Sequence, residues 1–300
     1  FRDNLIYFYV DSSNKVIETN EENNIIHSKE GCNYYPPVGS FNPVIEWKWD
    51  SSSVIPNYTN VITTPLVIDL DDDGIPEIVF GSYGPYNGGV STYGALRALR
   101  GDTGEELFTV TDSNCLINAI FSLAAGDIDN DGKPEIIAGD TTLTRILAFE
   151  NDGTLKWKSE ALNILNAGIP AIADIDADGE AEIIIGRQVI DNNGKIKWTG
   201  KGGSADPYGV GAISFAVDID MDNSLEVLCG NTVYDNKGEI LWKNESVPDG
   251  FNAVGNFDED EYPEIVLVSR GNVWILEHNG DIKMGPVSIP GGGKGGPPTV

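Results

Sequence analysis

The apolar residues of this chain come in short runs, and five of the runs open on an acid. They are Glu77-Ile78-Val79-Phe80, Glu135-Ile136-Ile137-Ala138, Glu182-Ile183-Ile184-Ile185, Glu226-Val227-Leu228-Cys229 and Glu264-Ile265-Val266-Leu267. None alternates apolar with polar, so each predicts a strand buried on both faces, as when sheets stack face to face. Before each run lies a stretch rich in small residues: Val61 to Ile68, Ala119 to Gly126, Ile169 to Ala173, Ala212 to Val217 and Phe251 to Gly255. These read as inner strands. After each run comes a hairpin turn: Asp102-Thr103-Gly104, Asn151-Asp152-Gly153, Asn192-Asn193-Gly194, Asp235-Asn236-Lys237-Gly238 or Asn279-Gly280. Asn, Asp and Gly tolerate the positive φ such turns need. Outer strands follow at Leu155-Lys156-Trp157, Ile196-Lys197-Trp198 and Ile240-Leu241-Trp242. One unit is thus four antiparallel strands. A single such sheet cannot bury both faces alone, so neighbours must stack about an axis. The expected fold class is all-β: a β-propeller of four-stranded antiparallel blades.

Between the first and second strand of every unit stands a nine-residue acidic frame. The first copy carries Asp69, Asp71, Asp73 and Glu77 at positions 1, 3, 5 and 9, with Gly74 at position 6. The second carries Asp127, Asp129, Asp131, Gly132 and Glu135, and the third Asp174, Asp176, Asp178, Gly179 and Glu182. The fourth carries Asp218, Asp220, Asp222, Asn223 and Glu226, and the fifth Asn256, Asp258, Asp260, Glu261 and Glu264. Their first positions, 69, 127, 174, 218 and 256, lie 58, 47, 44 and 38 residues apart, which is the period of a four-stranded blade. Calcium takes six to eight oxygen ligands, and carboxylates at alternate positions of a tight loop supply them. An EF-hand would need its last acid at position 12, so position 9 marks a different calcium loop. Main-chain carbonyls at position 7, those of Ile75, Lys133, Glu180, Ser224 and Tyr262, are the expected additional ligands. Up to five Ca2+ ions are expected, with a structural role, because the carboxylates repel one another without an ion.

Residues 1–50 lack the frame. Asn4 to Val10 reads as a strand and Lys15 to Glu18 as its pairing partner. Residues 20–43 read as loop, and Val44-Ile45-Glu46-Trp47-Lys48-Trp49 as another strand. Residues 1–50 are therefore expected to supply outer-blade strands and a loop, with 51–300 holding the repeats. Pro298-Thr299-Val300 resembles the start of a further inner strand, which with 1–50 could form one closing blade. The start at Phe1, without a charged-then-apolar leader, predicts a mature or excised segment.

Formal charge is −28, which argues against nucleic acid as a partner. Five divalent ions would bring it to −18, and the rest reads as a solvated acidic surface. No stretch approaches the length of a membrane span, so no membrane insertion is expected. Cys32, Cys115 and Cys229 lack metal-type spacing; a disulfide between two of them stays open, and Cys229 reads as a buried thiol.

The motif D-x-D-x-D-G-x-x-E, followed by an apolar strand and Gly81, Gly139, Gly186 or Gly230, resembles the FG-GAP/VCBS repeats, including those of the integrin α-subunit propeller. The resemblance covers about residues 44–300. It implies a propeller of about six to seven blades, calcium in the intra-blade loops and an extracellular or cell-surface setting. It also implies a binding or adhesion surface. Two departures bear on the sites. In the fifth loop Asn256 replaces an acid and Glu261 replaces the glycine, so this site is expected to be weakest. Asn223 is milder, since Asn enters the left-handed region more readily.

Catalytic chemistry is thin. His27 and His278 are the only histidines, the latter expected as a surface bystander, and there is no serine elbow, Cys/His pair or zinc spacing. The leading expectation is a non-catalytic binding, adhesion or surface-assembly module. Its partner would be a protein or polysaccharide on the extracellular side, or another copy of itself. Two alternatives stand beside it: a polysaccharide lyase on a calcium-rich propeller, and a filament subunit. Arg100-Gly101-Asp102 reads as a hairpin turn that happens to match an integrin-recognised peptide. The outer-strand tryptophans read as inter-blade packing. Asn57 and Asn244 open glycosylation sequons. The insertion Ser82 to Tyr93, with Tyr83, Tyr86 and Tyr93, is the candidate contact surface.

Overall fold

The computed structural model describes residues 44–85, 93–163, 168–209 and 211–300, together with the backbone of two strands at 6–9 and 25–28. The chain divides into two compact units. One is Phe1–Glu46 with Asn256–Asp260, and the other is Trp47–Gly255 with Glu261–Val300. In the smaller unit β1 (Ile6–Tyr9) pairs antiparallel with β2 (Ile25–Ser28), in register Tyr9↔Ile25. The expected partner at 15–18 lies outside the described residues. The ladder uses the apolar run Ile25-Ile26 instead, inside a stretch expected to be loop.

Among the described residues the larger unit holds five antiparallel sheets, four of four strands and one of four strands with a fifth short one beside it. Blade one comprises β3 (Leu66–Ile68), β4 (Glu77–Tyr83), β5 (Tyr93–Arg100) and β6 (Glu106–Thr109), and the short β7 (Ile117–Asn118) also pairs with β5. Blade two is β8 (Ala124–Gly126), β9 (Glu135–Gly139), β10 (Ile146–Phe149) and β11 (Leu155–Lys158). Blade three is β12 (Ala171–Ala173), β13 (Glu182–Ile185), β14 (Gln188–Ile190) and β15 (Ile196–Thr199). Blade four is β16 (Phe215–Val217), β17 (Glu226–Cys229), β18 (Thr232–Tyr234) and β19 (Ile240–Lys243). Blade five is β20 (Phe251–Gly255), β21 (Glu264–Ser269), β22 (Asn272–Leu276) and β23 (Ile282–Ser288). The small-residue strands β3, β8, β12 and β16 touch in succession, as the inner strands of a propeller do. No helix among the described residues is long and apolar enough to cross a membrane.

Burial explains why the second strands do not alternate. Ile136 and Ala138 of β9 face a core shared with Val79, Leu96 and Ala98 of blade one. Ile137, between them, faces a core shared with Ile183, Ile185 and Ile190 of blade three. Two further cores join blades three to four and four to five in the same way. Blades two, three and four are thus apolar on both faces because each has a neighbour on both.

Outer-strand aromatics latch each blade to the next. The indole N–H of Trp157 donates to the carbonyl of Asn192 at 2.6 Å, and its ring lies on Gly194. Trp198 reaches Asn236 and Gly238 alike, and Trp242 reaches His278 and Gly280. At Gly194 (φ +81°) a Cβ would stand 2.8 Å from the Trp157 ring, so both the backbone and the ring demand glycine there. Trp47 does the same to blade one, donating to the Gly101 carbonyl at 2.8 Å and covering Gly104. Residues 44–49 are therefore not the strand their alternation suggested. Trp47 is held by the turn and Trp49 by Phe80, whose ring centroid lies 4.9 Å away.

Residues 293–300 also carry no strand. Of the tyrosine-rich insertion, Ser82, Tyr83 and Tyr93 lie in β4 and β5, and Tyr86 falls outside the described residues. Cys115 and Cys229 are free and buried, and Cys32 lies outside the described residues. His278 is no bystander, since its ring stacks on Tyr262 with centroids 4.1 Å apart.

Candidate metal centre

Each of the first four acidic frames forms the corner between the first and second strands of its blade. Position 2 anchors it. Leu70, Ile128, Ile175 and Ile219 are all buried in the core shared with the next blade. Their N–H groups donate to Oε2 of the position-9 glutamate, at 2.9 Å for Leu70–Glu77 and Ile128–Glu135, and 3.0 Å for Ile175–Glu182 and Ile219–Glu226. One glutamate oxygen is thereby fixed, and Oε1 is turned toward the loop's other acids.

The remaining bonds hold the loop closed on itself. The position-6 N–H donates to Oδ2 of position 1, from Gly74, Gly132, Gly179 and Asn223 at 2.8 to 3.0 Å. The position-7 N–H of Ile75, Lys133, Glu180 and Ser224 donates to Oδ1 of position 5. In each of the first four loops two residues sit in the left-handed region, whereas Glu259 and Glu261 of the fifth do not. Position 6 was legible from its glycines. Position 4 was missed: Asp72, Asn130, Ala177 and Met221 have φ of 61°, 61°, 58° and 62°.

The acids at positions 1, 3 and 9 come together. Asp69, Asp71 and Glu77 each offer an oxygen within 4.8 Å of the others, as do Asp127, Asp129 and Glu135. The same holds for Asp174, Asp176 and Glu182, and for Asp218, Asp220 and Glu226. Asp73, Asp131, Asp178 and Asp222 at position 5 lie outside these groups, each with one oxygen engaged by position 7. The fifth frame divides between the units. Asn256 donates to the Asp260 carbonyl at 2.7 Å in the smaller one, whereas Tyr262 and the buried Glu264 belong to the larger.

The donor set fits a hard cation, since it is all oxygen and mostly carboxylate. Three buried atoms give the fit a direct test. Oε1 of Glu77, a residue with no exposed surface, Oδ1 of Asp69 and Oδ1 of Asp129 have no hydrogen-bond partner. Unpaired buried carboxylate oxygens are costly unless a cation meets them. Burial pushes the Glu77 carboxyl above its ordinary range, against the Leu70 N–H, and Asp71, Asp73 and Asp69 push it further. In the fourth loop burial and the charges of Asp220, Asp222 and Asp218 outweigh the Ile219 N–H, and Glu226 is pushed up to about 7.

A family model of the FG-GAP-like repeat matches residues 69–138 and 127–185. These are FG-GAP-like repeats. Unit four shares the corner, and units four and five share the blade plan. No curated protein sequence matches the chain. Among solved structures, the chain is similar to the Vibrio cholerae biofilm matrix protein Bap1, with 26% identity and TM-score 0.68 over 80% of this chain and 42% of that one. It is also similar to rhamnogalacturonan lyase YesW, with 20% identity and TM-score 0.55 over 75% of this chain and 46% of that one. A Bacillus licheniformis rhamnogalacturonan lyase gives 22% identity and TM-score 0.53, over 74% and 46%. The chain spans less than half the length of each. The likeness to these longer chains is one of fold, and it fits the β-propeller plan of the five blades.

Other readings from the sequence resolve locally. Arg100 is tied down, to Asp73 at 3.0 Å and Asp102 at 3.2 Å, so the Arg-Gly-Asp turn presents no free arginine. Arg97 carried no sequence signal, yet it is fully buried in β5. It donates to Ser82, Ser52, Thr109, Glu106 and the carbonyls of Val54 and Ile55, which ties the segment before blade one to the blade.

Proposed function

We propose that this chain is an extracellular, calcium-stabilised propeller module that works by binding, and that Asp69, Asp71 and Glu77 and their counterparts in the later loops hold Ca2+. The observation that carries the reading is the pair of buried, partnerless oxygens on Glu77 and Asp69 inside an all-oxygen cluster. The ion would add positive charge among clustered carboxylates, and the position-2 side chains would transmit its restraint to the inter-blade cores. The extracellular setting rests on the likeness to a biofilm matrix protein and on millimolar calcium outside cells being adequate for such loops.

The calcium half is tested by adding calcium to chelated protein and following the melting temperature. Each site held at a hundred times its Kd adds about 2.7 kcal/mol, so several sites raise the midpoint by many degrees. An unchanged midpoint at millimolar calcium sinks the reading.

A recess of about 550 Å³ favours an acidic polysaccharide as the ligand. It is lined by Tyr208, Arg270, Asn272, Ser288 and Lys294, and in a chain of charge −28 it gathers two cations beside an aromatic ring. Lys294 sits over the Tyr208 ring at 5.5 Å, the kind of surface that takes a sugar face and a carboxylate together. Incubation with acidic polysaccharides separates the readings: retention without product supports binding, and growth of unsaturated-product absorbance makes the chain a lyase.

A further inference from the structure

The second residue of each outer strand is one of two kinds. It is Lys156, Lys197 and Lys283 in blades two, three and five, and Leu107 and Leu241 in blades one and four. The aromatic that follows is in register throughout blades one to four, with Phe108, Trp157, Trp198 and Trp242 opposite Ala98, Ala148, Val189 and Val233. The difference is therefore one of side chain at a fixed place beside the metal corner.

The lysines enter that corner. Nζ of Lys197 lies 2.5 Å from Asp176 and 2.7 Å from Oε1 of Glu182. Nζ of Lys156 lies 2.7 Å from Asp129 and 3.1 Å from Oε1 of Glu135. These are positions 3 and 9, and Oε1 is the oxygen that stays unpartnered on Glu77. Lys283 makes the matching bond to Glu264 at 2.8 Å. In blade four, no ion pair reaches Asp218, Asp220, Asp222 or Glu226 among the described residues. In blade one the nearby cation, Arg100, engages Asp73 at position 5 and leaves Glu77 alone.

We propose that Lys156 and Lys197 are resident counter-cations: they hold the second and third corners folded without metal, and calcium must displace them to enter. Corners one and four, which have no such lysine, are then the tight calcium sites. This rests on the calcium reading above. An ammonium and a divalent ion cannot share oxygens a few ångströms apart, because their mutual repulsion is large in a partly buried site. A lysine on its four-carbon stem can swing out, but the bonds it gives up come off the affinity. The chain would thus carry sites of two strengths, and its two lysine-held corners would stay ordered when calcium is scarce.

Calorimetric titration of the chelated full chain, with two single variants, tests this. The unmodified protein should show a tight and a weak class of sites. Lys197→Met should tighten one weak site by about tenfold or more, and Leu241→Lys should weaken one tight site by a similar factor. In chelator Lys197→Met should melt lower than the parent, while its calcium-induced rise should be larger. A lysine that is only structural would lower both melts equally and leave the isotherm unchanged, which overturns the proposal while calcium binding stands. Should Lys197→Met fail to fold, an unweakened Leu241→Lys isotherm overturns it just as well. If the unmodified chain takes up no calcium, the calcium reading falls and this proposal with it.

Discussion

Corners three and four share a backbone and differ in how their charge is met. Both present two aspartates and a buried glutamate, with the glutamate's Oε2 bonded to the position-2 N–H at 3.0 Å. In corner three Lys197 supplies a cation. Burial works against its charge, but bonds to Asp176 and Glu182 win and hold the ammonium above its ordinary range. Burial raises Glu182 too, with Lys197 pulling it back. In corner four Leu241 supplies nothing, and Glu226 goes up to about 7. The same loop can therefore be a finished ion pair or an unfinished one, depending on a residue some fifteen positions downstream on another strand.

The largest expected effect probes what the two corners have in common. Ile175→Ala and Ile219→Ala each remove a buried anchor and should cost about 2–5 kcal/mol, by transfer and cavity terms together. The costs should be similar with or without calcium, measured by urea unfolding. A loss at only one corner would mean that position 2 does not serve both alike.

The next effect sharpens the difference. In chelated protein at pH 8, Glu182→Gln should destabilise by about 1–3 kcal/mol, because Lys197 loses a partner. Glu226→Gln should be neutral or stabilising, because it removes an unmet charge and keeps an oxygen for the Ile219 N–H. The pH dependence follows with a definite sign. The folded pKa of Glu226, about 7, lies above the unfolded one, so its contribution is fully present below about pH 4.5 and is lost as pH rises through 7. Chelated protein should melt lower at pH 8 than at pH 6, and Glu226→Gln should flatten that slope. Shifts of one sign in the two glutamine variants would erase the distinction between the corners.

The smallest effect concerns backbone strain at position 4. Met221, at φ 62°, stands where a side chain crowds the following carbonyl. Met221→Gly should stabilise by about 1 kcal/mol or less, since relief of strain is offset by glycine's chain entropy. Ala177→Gly, at φ 58°, should behave alike, and thermal melts of the pair show whether the strain is common to both corners.

Much of this was legible in the chain itself. The blade plan followed from Glu-led apolar runs and Asn/Gly turns, because a strand with a sheet on either side has no polar face to show. The meeting of acids at positions 1, 3 and 9 in the first four loops followed from their spacing in a tight turn. The spacing of five frames gave the repeat before any coordinate. Residues 44–49 misled, because two tryptophans in an alternating run satisfy the pattern of a strand whether or not a partner strand lies beside them. What only the folded chain decided was which side chains meet from distant places. Lys197 enters the Glu182 corner and Leu241 leaves the Glu226 corner bare. Trp157 closes on a glycine of the next blade, and Arg97 is consumed by six bonds around β5. Periodicity records which face of a strand is dry. It holds no record of the charge that the neighbouring strand brings to a loop, because that depends on register across the sheet.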